Sequence, residues 1–338
     1  MSETTTTPDD RSSGHDDVTW RPMRPEDAAA IADLLNAAEP LDDTGEHLDV
    51  DDVTEQFVND LVDLERDTRL AWIGDELAAA GQVSVSTAAR EQASVWCFGT
   101  VHPDHRRRGI GRQLMTWELE RGAELHRNRH PDVPANVMVN VSATNSGARA
   151  LAERLELEPV RDWFEMSCQL DGVVGELAAP TGITLAPYEA GRDDEVRQAH
   201  NLAFAEHFGS TERSPDEWRH FFTGSRGFRP ELSVLAVGDD TGKLCGYALG
   251  YVYDADVEVT GRRQVWLGQI GTLPDHRGKG VGRALLAAAL RTWAAAGHEE
   301  AWLGVDSANG TGALGLYERA GFSVQRRSTS WARRLPAC

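Results

Sequence analysis

The stretch PDHRGKGVGRALL (274–286) places three glycines and three basic side chains directly ahead of an aliphatic helical run. Backbone N–H groups at a helix N-terminus have no intrahelical partners, and the helix dipole adds partial positive charge there. Gly278, Gly280 and Gly282 lack the Cβ atoms that would hold an anion at a distance, and they permit φ values that other residues resist. Arg277, Lys279 and Arg283 add charge-assisted donors. Together these residues suit phosphate binding. A near copy, PDHRRRGIGRQLM (103–115), lies upstream, with Arg106 preceding Arg277 by 171 residues. A single copy could be no more than a tight strand-to-helix turn. Two copies in matching context, each with Arg-x-x-Gly-x-Gly, favour the anion site.

Two other phosphate loops are excluded. No GxxxxGK[ST] is present, and a GxGxxG dinucleotide loop would follow the first strand of a βαβ unit, whereas this loop follows a late strand in a meander.

The elements that must position the loops repeat with them. VTWRPM (18–23) reads as a short strand, and residues 24–40 and 51–67 carry apolar side chains at helical spacing. RLAWIG, ELAAAGQVSVST and ASVWCFGTV read as strands, followed by a helix over 109–126, strand NVMVNVS, helix SGARALAERLEL and strand VRDWFEMSCQL. The order β-α-α-β-β-β-α-β-α-β then recurs from ITLAPY to SVQRRSTSWARRL. Within the second copy, Ser214 with Glu217 three residues later predicts a capping box. The expected organisation is a polar, disordered tail (1–17), a first domain (18–171), a linker (172–181) and a second domain (182–338).

Composition narrows the function. The 338 residues include 34 basic and 54 acidic side chains, for a net charge of −20, the opposite of what phosphate neutralisation by a nucleic-acid binder needs. No apolar run approaches the roughly 20 residues that span a bilayer, and the N-terminus has no signal-peptide pattern, so a cytoplasmic protein without a membrane partner is expected. Cys97, Cys168, Cys245 and Cys338 form no CxxC pair, and the eleven histidines form no HExxH-type spacing, so no structural zinc or other metal is expected.

RGKGVG after GTLP, followed by NGTGALGLYERAGF (309–322), resembles the GNAT superfamily of N-acetyltransferases; the resemblance extends over residues 18–335. The tandem arrangement is similar to the mycothiol synthase branch of that family. The resemblance implies an α/β protein of two tandem GNAT (acyl-CoA N-acyltransferase) domains, each a mixed, mostly antiparallel sheet flanked by helices. It implies acetyl-CoA as cosubstrate, its pyrophosphate on Arg277, Gly278, Lys279, Gly280, Val281, Gly282 and Arg283. The backbone of Ile270, Gly271 and Thr272 would follow the pantetheine, with Asn309 near the same arm and amides near Gly271 polarising the thioester carbonyl. Tyr317 takes the place of the family's general acid. Its helical neighbours Ala313, Leu316 and Ala320 equally suit a core aromatic.

The halves differ at these positions. Ala152 stands where the second half has Tyr317, although Arg106, Arg108, Gly109, Ile110, Gly111 and Arg112 keep the loop. The first half therefore reads as a catalytically silent copy that retains a CoA site, or as a scaffold. The family's glutamate base, six residues before the position of Thr272, is replaced by Trp266. An amine of pKa near 10 is only about one part in a thousand neutral at pH 7, a handicap of roughly 4 kcal/mol. Glu258, Asp306 and the chain-terminal carboxylate are the remaining acids considered for that task. The favoured reading is direct acetyl transfer from acetyl-CoA to the primary amine of a small molecule, by a monomer or homodimer. Its rivals are a non-catalytic acyl-CoA sensor and a protein acetyltransferase.

Overall fold

A computed structural model describes residues 18–57, 62–172, 179–308 and 312–338. The expected tail, most of the expected linker and Asn309 lie outside the described residues. The first half contains β1 (Val18–Arg21), α1 (Ala28–Asp42), α2 (Val50–Phe57), α3 (Leu64–Asp67), β2 (Thr68–Ile73), β3 (Glu76–Val85) and β4 (Ala93–Val101). It continues through α4 (Ile110–Arg129), β5 (Ala135–Ser142), α5 (Ser146–Arg154) and β6 (Glu158–Gln169). The second half contains β7 (Ile183–Pro187), α6 (Asp193–Ala203), α7 (Pro215–Trp218), β8 (Phe228–Gly238), β9 (Leu244–Tyr251) and α8 (Asp254–Thr260). It ends with β10 (Gln264–Thr272), α9 (Val281–Ala295), β11 (Glu300–Asp306), α10 (Ala313–Arg319) and β12 (Ser323–Leu335).

The twelve strands among the described residues form one sheet, in the order β1-β2-β3-β4-β5-β12-β6-β11-β10-β9-β8-β7. Exchanging each strand for its counterpart six places along reverses this order without altering it, so the repeat is a pseudo-twofold within one chain. Only β4–β5 and β10–β11 pair in parallel; the other neighbours are antiparallel, as the sequence implied. The axis passes between β6 and β12, and each half's last strand is lodged in the other half. β6 pairs with β11 from Glu300↔Gln169 to Asp306↔Trp163, and β12 pairs with β5 from Ser328↔Ser142 to Leu335↔Ala135.

Polar side chains pin the register of the exchanged strands. Glu300 accepts from Ser167 Oγ at 3.1 Å and Gln169 Nε2 at 2.9 Å. Trp163 Nε1 donates to Ser330 Oγ at 2.8 Å, and Arg326 Nε donates to Glu165 Oε2 at 2.7 Å. A slip of one residue would break these bonds and turn Met166 and Cys168, both buried, out of the core.

The helix over the second half buries Leu285, Leu286 and Trp293 against β8, β9 and β10, and Trp293 Nε1 donates to Leu232 O at 2.8 Å. The capping box at α7 forms as read, with Glu217 N–H on Ser214 Oγ and Ser214 N–H on Glu217 Oε2. The helix opened by that box runs for one α-turn and continues as a π-turn over 219–223. α8 was not legible in the sequence; its seven residues bury only Ala255 and Asp256 and end at Gly261 with φ +67°.

Residues 182–338 alone would expose both long edges that β6 covers, on β11 and β12. This fragment is expected to self-associate or precipitate, whereas the whole chain does not. Light scattering checks this, and a soluble, monomeric fragment would contradict it.

Candidate active site

Between the second half's two parallel strands the sheet opens. β10 and β11 pair from Gln264↔Glu300 to Leu267↔Leu303, and beyond that point they splay into a cleft of about 890 Å³. A bulge at Gly268 marks the opening, because β10 slips by one residue against β9 between Leu267 and Gln269. The glycines of GQIGT are forced by packing. A Cβ at Gly268 would meet Tyr251 at 2.4 Å, and one at Gly271 would meet Tyr247 at 2.6 Å. Tyr247 is itself fixed by a 2.8 Å bond to His200 Nδ1. Burial pushes His200 down to about 3, so this imidazole is neutral at physiological pH.

The glycine loop closes one end of the cleft. Gly278 and Gly280 have φ of +72° and +84°, the left-handed region that glycine enters at least cost. The first backbone bond of α9 runs from Ala284 N–H to Gly280 O at 3.0 Å, leaving the amides of Val281, Gly282 and Arg283 ahead of it as anion donors. Gly282 lets the helix approach β10, since a Cβ there would lie 3.3 Å from Thr272 Oγ1. Arg277 anchors the loop, donating to Ala203 O at 2.9 Å and Thr272 O at 3.4 Å.

Of the residues singled out from sequence, Ile270, Gly271, Thr272, Arg277, Gly278, Gly280, Val281, Gly282, Arg283 and Tyr317 all line this cleft. Lys279 is exposed and does not. Tyr317 is 6% exposed and packs edge-on against Phe322, which satisfies the core reading. Its phenol nevertheless reaches the cleft and makes no hydrogen bond among the described residues. Burial pushes it up to about 12, so it stays protonated at any working pH.

The opposite wall was not legible. Arg161 and Trp163 come from β6, a strand of the other half, and nothing in their spacing connects them to residue 317. Arg161 sits 3.6 Å from the buried carboxylate of Asp306 and stacks over Phe208 at 4.4 Å. His207 lines the same wall, and burial pushes it below the ordinary imidazole range, with Asp306 pulling the other way. Among the three acids named as bases, only Asp306 lies in the cleft. Glu258 is exposed on α8, and the terminal residue Cys338 bonds to Pro131 O in the first half. Trp266 stacks on Trp302 with ring centres 5.6 Å apart.

The first half keeps the loop and changes the cleft. Gly109 has φ +87°, the matching first bond runs from Gln113 N–H to Gly109 O, and Gly111 packs on Val101 as Gly282 does on Thr272. Arg107, at the position of Gly278, is held at φ +67°. Arg106 is committed to Asp42 at 2.9 Å, Ile110 is buried, and Arg108 and Arg112 face solvent. None of these loop residues lines the first half's 410 Å³ cavity. β4 carries no bulge against β3, and the cavity holds Glu118, 1% exposed with Oε1 unpartnered. Gly81 and Gly99, paired across β3 and β4, make room for it, since a Cβ on either would come within 2.8 Å of Oε1. Ala289, Ala248 and Ile270 stand at the matching positions of the second half.

Burial pushes Glu118 up to about 8. A carboxyl raised above its unfolded pKa of about 4.3 stabilises the fold while protonated and loses that contribution as pH rises towards the folded value, by about 1.4 kcal/mol per unit. Glu118→Gln should therefore gain stability over the wild type between pH 5 and pH 8 in urea unfolding. Parallel pH profiles would refute the assignment.

Comparison with known proteins bears on the family and the fold. The model of the acetyltransferase (GNAT) family matches residues 29–156 and 194–322, once in each half. Mycothiol acetyltransferase of Saccharopolyspora erythraea is 31% identical over 254 residues, covering 74% of this chain and 80% of that protein. Its namesake from Mycolicibacterium paratuberculosis is 27% identical over 336 residues, covering 93% and 96%. The crystal structure of a GCN5-related N-acetyltransferase from Sphaerobacter thermophilus superposes with a TM-score of 0.73 at 28% identity, covering 95% of this chain and 97% of that one.

Proposed function

Because this chain belongs to the GNAT acetyltransferase family, acting with acetyl-CoA, we propose that its second half moves the acetyl group directly to the primary amine of a small molecule. The observation that carries this reading is the convergence in one cleft of the α9 N-terminal amides, the bulged β10 backbone and the Tyr317 phenol. Acetyl-CoA supplies the activated acetyl group and the thiolate leaving group. The amides of Val281, Gly282 and Arg283 suit its pyrophosphate, and the side-chain-free backbone around Gly271 suits its pantetheine and the developing carbonyl charge. Asn309, which the sequence resemblance assigns to the same arm, lies outside the described residues.

Tyr317 acts as the general acid for the departing sulfur. A phenol held near 12 keeps its proton until the thiolate forms, and the burial that raises the phenol raises a thiol beside it as well. With Trp266 in place of the family's glutamate, the base falls to His207, neutral through burial and facing Asp306, which stabilises the imidazolium once a proton arrives. Arg161 and Trp163 give the acceptor wall an aromatic and charged surface suited to a small polar amine. The relatives' name makes a mycothiol-related amine one candidate, and the exchanged base position favours a different acceptor. The first half, with Ala152 in place of the phenol and an acid-lined cavity, is catalytically silent in this reading.

Acetyl-CoA-dependent thiol release across a panel of small amines and one basic peptide tests the proposal. Release above hydrolysis with one amine class supports it, and release only with the peptide would replace the acceptor assignment. Tyr317→Phe should lower turnover roughly 100-fold with acetyl-CoA affinity nearly intact, and an unchanged rate would remove the acid role. His207→Ala should flatten the rising limb of the kcat/KM profile against pH, and an unaltered profile would assign the base elsewhere.

A further inference from the structure

A second chemical cluster lies in the first half, at the corner where β3 begins and β4 ends. Glu76 is the first residue of β3, while His102 and His105 flank the short turn leading into the Arg106 loop. Their ligand atoms lie within 4.8 Å of one another. His105 Nε2 is 3.1 Å from Glu76 Oε2, and His102 Nδ1 is 3.8 Å from Glu76 Oε1.

His105 needs an explanation. It is 6% exposed, and neither of its ring nitrogens has a hydrogen-bond partner among the described residues. The 3.1 Å approach to Glu76 lacks hydrogen-bond geometry, so the two atoms are close without being bonded to each other. Two ligands each about 2.0–2.1 Å from a tetrahedral ion stand roughly 3.3 Å apart, with their lone pairs aimed at the ion and not at one another. Burying an unpaired imidazole is costly, and a cation between it and Glu76 would remove that cost.

The internal repeat supplies the control. His102 N–H bonds to Ala78 O, and in the second half Leu273 N–H bonds to Cys245 O, which matches Glu76 with Lys243, His102 with Leu273 and His105 with His276. Both turns form the same backbone bonds, from His105 N–H to His102 O and from His276 N–H to Leu273 O. The turn therefore folds without the Glu-His-His set, and in the second half a lysine and a leucine take two of the three positions.

We propose that Glu76, His102 and His105 form a divalent transition-metal site of zinc type, with a fourth position open to water. Two imidazoles and a carboxylate suit Zn2+ and, in vitro, Co2+. The ion would pin the corner of β3 to the turn that carries Arg106, fixing a loop of the silent half. The site would be independent of acetyl transfer. An H-x-x-H spacing is visible in HPDH (102–105), but the third ligand lies 26 residues before His102 and only the sheet brings it near.

The test uses the full chain, stripped with a chelator and titrated with Co2+ and then Zn2+. One equivalent of Co2+ should give the visible absorption of a tetrahedral nitrogen and oxygen site without thiolate charge transfer, and Zn2+ should displace it and raise Tm. Losing an outer-shell partner costs roughly 10–100-fold in metal affinity, so His102→Ala and Glu76→Gln should each cost about 100-fold or more. Circular dichroism confirms that both variants fold. Failure to take up one equivalent would overturn the site and leave a Glu76–His105 ion pair. Thiolate absorption would also overturn it, placing the metal on exposed Cys338. So would wild-type affinity in both variants.

Discussion

Backbone pairing between β6 and β12, from Ser323↔Ser167 to Ala332↔Glu158, holds the two halves as one sheet. Either half without the other's last strand would keep two unpaired edges in the middle of its own sheet, where backbone N–H and C=O groups would be left without partners. The exchange removes those edges. It also gives the active cleft a wall that its own half does not encode, because Arg161 and Trp163 ride on β6. Folding of the first half and completion of the second half's site are therefore linked through one strand.

The pseudo-twofold shows how small changes give two different clefts on the same scaffold. Both halves carry a glycine-capped helix, with Gly109 and Gly280 in the same left-handed conformation. They diverge in the neighbouring strand. Gly268 bulges β10 against β9, whereas β4 runs in unbroken register with β3, although β4 and β5 also part beyond Cys97↔Val139. The space left in the first half by Gly81 and Gly99 is taken by the Glu118 carboxyl, and the cavity lining adds Asp42, Asp43 and Glu165 with Arg326 and Arg327. The loop's geometry is retained while the cavity beside it has changed.

Electrostatics in the second cleft follow from burial more than from net charge. Tyr317 and His207 are both held in their neutral forms by desolvation, one able to give a proton and the other to take one. Asp306 keeps Arg161 near the acceptor wall and opposes the desolvation of His207. These neutral groups sit in a protein carrying −20, so the site's proton chemistry is a local arrangement within an acidic chain.

The sequence by itself determined the repeat, the alternation of helices and strands, and the glycine loop at a helix start, because each rests on local rules. Glycine spacing, helix-start geometry and apolar periodicity act over a few residues, and β4 and β12 begin and end where their sequences predict. Tyr317 was legible through its place in LYERAGF, though not the burial that raises its phenol. The exchange of β6 and β12, the bulge at Gly268, the π-turn after α7 and the wall built from Arg161, Trp163 and His207 were decided only in the tertiary structure. A strand's partner depends on which edges remain open once every other element has packed, and the approach of residues 161 and 317 depends on that partner. No spacing within either segment encodes it.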